Sequence, residues 1–223
     1  MKLLRAEKEE CEKQASSVIK EILKEAIKEK NYAVLAIPGG RSVSGIFKKL
    51  KNEKIAWDKV HIFMVDERYV PTDHEDSNYK LAYENFLEEL YEEKKIPFEN
   101  LNPFKIEEGV EKYYEKIKEK KGFDIILLSA GEDNHVAGLY PNYSILDDTE
   151  SYLYINKSPK PPSERITASR KLIQNSKNCV LLFFGDDKKE ALKKHLDENN
   201  TYKEVPSKAV LNCKNVYILT DIK

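Results

Sequence analysis

Three short segments hold the residues best suited to chemistry. Gly131-Glu132-Asp133-Asn134-His135 sets an imidazole two residues from a carboxylate, directly behind an apolar run. Histidine as a residue type titrates near ~6.5, so an imidazole there can take and return a proton at neutral pH. Asp133 can orient it or polarise the site. A histidine that merely caps a helix start is the alternative. The second segment, Asp66-Glu67-Arg68, sets two carboxylates beside a guanidinium. Such a group can serve acid–base work and anion binding. Taken alone, it is more simply a salt-bridged surface turn. The third segment is Gly39-Gly40-Arg41-Ser42, between an apolar run and a helical pattern. Two glycines let backbone approach a ligand, and Arg41, Ser42 and the helix start add donors for a phosphate. An ordinary strand-to-helix turn with a serine cap fits the segment equally well.

Other chemistries lack their residues. G-x-x-x-x-G-K-[ST], G-x-G-x-x-G and G-x-S-x-G are all absent, so neither a P-loop, a dinucleotide fingerprint nor a nucleophile elbow is indicated. No two histidines share metal-site spacing, and no C-x-x-C pair exists. His74 lies among Asp73, Glu75 and Asp76 and reads as a solvated loop residue. His61 begins a strand and His195 sits in a Lys-rich helix, so both read as structural or exposed. The economical nucleophile is water, activated by His135.

The elements that must hold these segments alternate in kind. Helical periodicity over Glu7 to Lys30 places Cys11, Ala15, Val18, Ile22 and Ala26 on one face. Apolar runs at Tyr32 to Ile37, Val60 to Val65, Phe123 to Ser129, Val180 to Phe184 and Val216 to Thr220 read as buried strands, with a shorter one at Tyr152 to Asn156. Helices are expected after Ser42 and Ser77, over Val110 to Lys120, Ser169 to Ser176 and Asp186 to Asp197. This alternation predicts an α/β fold, a parallel sheet covered by helices on both faces. In such a sheet ligands lie beyond the carboxyl ends of the strands, where all three segments fall.

Composition narrows the class. The chain has 223 residues, 38 Lys+Arg, 39 Asp+Glu and a net charge of −1, which argues against a nucleic-acid partner. With no repeat and no dividing linker, one domain over residues 1–223 is expected. Cys11, Cys179 and Cys213 are few and scattered, which fits a reducing compartment. The charged start MKLLRAEKEE lacks a signal-peptide core, and no apolar run approaches the ~20 residues of a membrane span. A cytoplasmic protein without a membrane partner is expected, as a monomer or small homo-oligomer.

In combination and in order, the segments AIPGGRS, MVDERYVPTDHEDSN, LLSAGEDNHVAGLYP, PPSERIT, FFGDDKKEAL and VPSKAVLNCKNVYILTD resemble the 6-phosphogluconolactonase family, over Val34 to Asp221. The resemblance implies a three-layer α/β/α, Rossmann-like fold with a mostly parallel sheet, shared with glucosamine-6-phosphate deaminases and ribose-5-phosphate isomerases. It implies hydrolysis of 6-phospho-D-glucono-1,5-lactone to 6-phosphogluconate, in the oxidative pentose phosphate pathway, with no cofactor and no metal. It makes His135 the general base, with Asp133 in the same motif and Asp66 in the catalytic group. It assigns the sugar phosphate to Gly39, Gly40, Arg41, Ser42 and Arg68, and further to Arg165 and Lys188. Two positions depart from the family pattern. Asn134 stands where Gly is usual, and Asn tolerates left-handed backbone. Val43 stands where Pro is usual.

Two rivals share these segments. A glucosamine-6-phosphate deaminase or isomerase would keep the phosphate loop and Asp66. Relatives with that activity typically carry Tyr where this chain has Arg68, and an acidic residue a few positions after the histidine, where this chain reads VAGLYP. A non-catalytic sugar-phosphate binding protein would keep Arg41 and Arg68 but would have no need of His135.

Overall fold

A computed structural model describes residues 1–142 and 149–223. It opens on a short strand, β1 (Lys2–Arg5), followed by helix α1 (Lys8–Lys30). Cys11, Ala15, Ile19, Ile22, Leu23 and Ala26 are buried along one face of α1. The helix stops at Asn31, whose left-handed φ of 66° lets its N–H donate to Ile27 O. Next comes β2 (Ala33–Ile37), with every residue buried.

β2 shows why the sheet has two covered faces. Successive strand residues point to opposite sides. Ala33, Leu35 and Ile37 join the core beneath α1 and α2 (Ser44–Leu50), with Ile46, Phe47 and Leu50. Val34 and Ala36 join a second core with Tyr113 and Ile117 of α5 (Gly109–Glu119) and Ala191 and Leu192 of a later helix, α7 (Lys189–Leu196). The result is three layers.

The remaining strands of this sheet are β3 (Val60–Met64), β5 (Leu101–Asn102), β6 (Ile125–Ser129), β9 (Asn178–Phe183) and β10 (Asn215–Thr220). All pairings are parallel, in the order β1-β10-β9-β6-β2-β3-β5. After β2 the chain builds outward through β3 and β5. It then returns to place β6 on the other side of β2. The order therefore reverses between β2 and β6, and their carboxyl ends open a crevice there.

A second, three-stranded antiparallel sheet runs β4 (Asp66–Arg68), β8 (Arg165–Ala168) and β7 (Tyr152–Ile155), in the order β4-β8-β7. It corrects two expectations. Asp66-Glu67-Arg68 is a strand with Asp66 and Glu67 buried, not a surface turn, because it pairs with β8. The Tyr152 strand belongs to this small sheet and not to the parallel one.

Ser77 caps the helical run 78–92 as expected, accepting from Lys80 N–H at 3.1 Å; a π-helical turn at Tyr83–Leu87 divides the run into α3 (Asn78–Ala82) and α4 (Glu88–Glu92). Ser42 does not cap α2. It lies inside a 3₁₀ turn, Arg41–Val43, and α2 starts behind Val43 without a side-chain cap. Ser169 caps α6 (Arg170–Gln174). Among the described residues no helix is long and apolar enough to cross a membrane.

Candidate active site

The crevice at the sheet's reversal holds a cavity of about 220 Å³. Gly39, Gly40 and Ser42 line it from the end of β2, and Ser129, Gly131 and His135 from the end of β6. Asp66 and Arg68 enter from β4, Arg165 from β8, and Lys188 from the 3₁₀ turn before α7. The segments singled out by type alone thus meet in one place. Arg41 is the exception. Gly40, at φ 95°, turns the chain so that Arg41 opens the 3₁₀ turn exposed to solvent and outside the lining.

His135 is held from beside and below. Its Nδ1 lies 2.5 Å from Asp133 Oδ1, and its backbone N–H donates to the same oxygen at 3.2 Å. The Tyr140 ring stacks on the imidazole at 5.0 Å. The described residues directly after His135, 136–142, form no helix, so it caps none there. The turn itself is closed by Asn134 N–H donating to Gly131 O and Gly131 N–H donating to His135 O. Asn134 takes φ 69°, the left-handed conformation that its side chain tolerates. Gly131 is required by space: a Cβ there would lie 2.0 Å from His135 Nδ1 and 2.6 Å from Asp133 Oδ1.

Burial alone would push the Asp133 carboxyl up. The hydrogen bond and charge of His135, with Lys160 beyond, hold it well below the usual carboxylate range instead. An ionised Asp133 fixes the proton of a neutral imidazole on Nδ1 and leaves Nε2 as the basic nitrogen. That is the arrangement a general base needs.

The same cavity is lined by cations. Arg68 and Arg165 are direct partners across the β4–β8 ladder. Arg165 is clamped by backbone: its Nε donates to Pro162 O at 3.1 Å and its Nη2 to Pro161 O at 3.0 Å. Arg68 Nη1 donates to Asp76 O at 2.5 Å, while its Nε is buried without a partner. Lys188 pairs with Asp187 at 3.0 Å. Asp66 sits among Arg165, Arg68 and His135. Burial pushes its carboxyl up, against those three charges.

Glu67 supports the site without lining it. It accepts from the N–H groups of Asn78 and Tyr79, each at 2.7 Å, and from Ser77 Oγ at 3.2 Å. It thereby ties β4 to the start of the helical run. Burial pushes this carboxyl up to about 7 against those donors.

Three residues of the site went unassigned in the sequence. Asn78 lines the cavity and donates to Asp66 O at 3.0 Å. It also dictates Gly39, since a Cβ there would lie 1.9 Å from Asn78 Oδ1. Its place in the DSN end of the second segment was the available signal. Lys160 approaches His135 Nδ1 at 3.5 Å and Asp133 Oδ2 at 3.6 Å. Tyr140 stacks on His135 from the GLYP end of the third segment. Among the described residues no group of three His, Cys, Asp or Glu side chains gathers as metal ligands.

Comparison with known proteins shows the family and the fold. A family model described as glucosamine-6-phosphate isomerases/6-phosphogluconolactonase matches residues 6–219. A 6-phosphogluconolactonase of Borreliella burgdorferi is 35% identical over 199 residues, covering 86% of this chain and 85% of that one. A crystal structure of 6-phosphogluconolactonase from Thermotoga maritima superposes with a TM-score of 0.82 at 25% identity, over 98% of this chain and 97% of that one. A monomeric glucosamine-6-phosphate deaminase superposes with a TM-score of 0.83 at 21% identity, over 99% and 97%, a likeness of fold alone. With nearly its whole length matched, and the three loops gathered at the reversal of its sheet, the chain belongs to the glucosamine-6-phosphate isomerase/6-phosphogluconolactonase family.

Proposed function

We propose that the protein hydrolyses 6-phospho-D-glucono-1,5-lactone to 6-phosphogluconate, the lactone-opening step of the oxidative pentose phosphate pathway. The carrying observation is the His135–Asp133 pair, 2.5 Å apart, in a cavity that Arg68, Arg165 and Lys188 also line. A base and three cations in one cavity suit a neutral ester joined to a dianionic phosphate. The 6-phosphogluconolactonases among the similar proteins support the same substrate.

The chemistry follows from the geometry. Arg68, Arg165 and Lys188 take the phosphate, and the Gly39-Gly40 backbone with Ser42 completes its cradle. Asp66 accepts from sugar hydroxyls and offsets the arginine charge. His135 Nε2 removes a proton from water as its oxygen attacks the lactone carbonyl. The tetrahedral adduct then collapses. The bond from carbonyl carbon to ring oxygen breaks, and the imidazolium returns its proton to that oxygen. Asp133 stabilises the imidazolium in between. A lactone is an activated ester, so one base and a preorganised anion site suffice. No second chain is needed for these residues, and the reading takes the enzyme as a monomer or small homo-oligomer in the cytoplasm.

The test is the hydrolysis rate of freshly generated 6-phosphogluconolactone above its spontaneous opening, beside His135→Ala. A large excess that the variant loses is expected. No excess, together with ammonia release from glucosamine 6-phosphate, would move the protein to the deaminase branch of the family.

A further inference from the structure

His195 is a buried titratable group that the mechanism above does not use. It is 2% exposed, on α7, with its ring against Phe183 at 5.3 Å. Its Nδ1 lies 2.8 Å from Ser207 Oγ, and Ser207 Oγ donates to Asn134 Oδ1 at 2.9 Å. Ser207 N–H donates to Asn134 O at 3.0 Å. All three residues are buried, and Asn134 directly precedes His135.

The donor count sets the direction of this chain. A hydroxyl has one proton to give. Ser207 gives it to Asn134, so Ser207 accepts from His195, whose proton is then on Nδ1. His195 Nε2 is buried with no partner. A charged imidazole would bury a second N–H there without an acceptor. Burial, and then the charge of Lys208, hold this histidine down to about 4. The chain therefore stays neutral and keeps one direction, from His195 through Ser207 to Asn134.

We propose that Ser207 and Asn134, backed by His195, are positioning residues for His135. They clamp both the backbone and the side chain of the one left-handed residue in the turn that aims the imidazole. Asn134 at φ 69° occupies a narrow conformational well, and the two bonds from Ser207 hold it there. The inference rests on the assignment of His135 as base. It adds that α7 and the 3₁₀ turn Pro206–Asn212 set how well that base is aimed.

The experiment uses the full chain with Ser207→Ala, Asn134→Gly and the double variant. Asn134→Gly keeps the left-handed backbone accessible and removes the side-chain acceptor, while the backbone carbonyl stays to accept from Ser207 N–H. Each single variant is expected to lower kcat about tenfold, as a slight misaiming of a reacting group does, with KM within about twofold. The double variant is expected to lose little more than either single, since both remove the same bond. Imidazole ¹⁵N spectra give a readout without turnover. The His195 Nδ1–H signal to a hydroxyl is expected to vanish in Ser207→Ala, and the His135 signals are expected to broaden in both single variants while those of His61 and His74 stay put. If Ser207→Ala does not fold, Asn134→Gly carries the test alone. Unchanged kcat with unchanged His135 signals overturns the proposal, as do independent losses that multiply in the double variant. Should the wild-type chain not open the lactone, the function is wrong, and the spectra still decide the clamp.

Discussion

Arg68 and Arg165 stand directly opposite one another in the antiparallel pair β4–β8, and both line the cavity. Like charges in that position repel and cost stability. Asp66, two residues from Arg68 and so on the same face of β4, offsets part of this. A bound phosphate dianion would offset the rest. Arg68→Ala is therefore expected to raise KM for the phosphorylated lactone by roughly 10- to 100-fold, the worth of a charge-assisted hydrogen bond of ~1.5–3 kcal/mol. Unphosphorylated gluconolactone is expected to change by about twofold at most. Steady-state kinetics on both substrates make the comparison. Equal losses on the two would remove Arg68 from phosphate binding.

Asp133→Asn separates the tautomer from the shape. The amide can keep the 2.5 Å geometry with His135 but can present N–H where Asp133 presents oxygen. The imidazole proton then moves to Nε2, and the base is lost. A drop in kcat of roughly 10²-fold or more is expected, with KM little changed. A kcat near that of the wild type would mean that Asp133 only shapes the loop backbone.

Gly131→Ala tests the same pair through space. The φ of Gly131 is not left-handed, so alanine fits the backbone. Its Cβ would, however, occupy the place of His135 Nδ1, at 2.0 Å. The imidazole must swing aside. Activity is expected to fall roughly 100-fold, while the thermal midpoint, set mainly by the two cores, moves by only a few degrees. A variant that retains full activity would show that the imidazole need not sit over Gly131.

These residues explain what was legible in the sequence. The apolar runs at Val34, Ile62, Ile126 and Leu181 announce buried parallel strands, because both faces of such strands are covered. The placement rule for strand ends then selects the three loops without reference to any family. Short or exposed elements carry no such signal. β1 is exposed along its whole length, and β8 hides a buried arginine among four residues. Arg41 lies exposed and outside the lining, since a polar residue in a turn shows its type in the sequence but not its side. Asn134 was recognised as fit for a left-handed turn, and it adopts one. Its partner Ser207 lies 73 residues away, and no local pattern joins the two.

Acid should loosen the fold through the buried His195 and the half-buried His61. Burial lowers His195 from 6.5 to about 4, and burial with the charges of Lys120 and Lys30 lowers His61 to about 4 as well. Between those values the unfolded chain binds more protons than the folded one, so stability falls as pH falls. The contribution of each neutral imidazole is complete above pH 6.5 and is lost progressively toward pH 4. For His195 it is about 3 kcal/mol. Glu67 acts in the opposite sense. Its folded value near 7 lies above its ordinary 4.5, so its contribution is present below 4.5 and is lost as pH rises through 7. The two windows overlap, and the total slope alone therefore decides nothing. The difference between wild type and His195→Asn isolates the histidine. Asparagine can still donate to Ser207 but does not titrate. Urea unfolding at pH 4.5, 5.5, 6.5 and 7.5 is expected to show the wild type losing its advantage over the variant below pH 6.5. A constant difference across that range would mean that His195 titrates alike in the folded and unfolded chain.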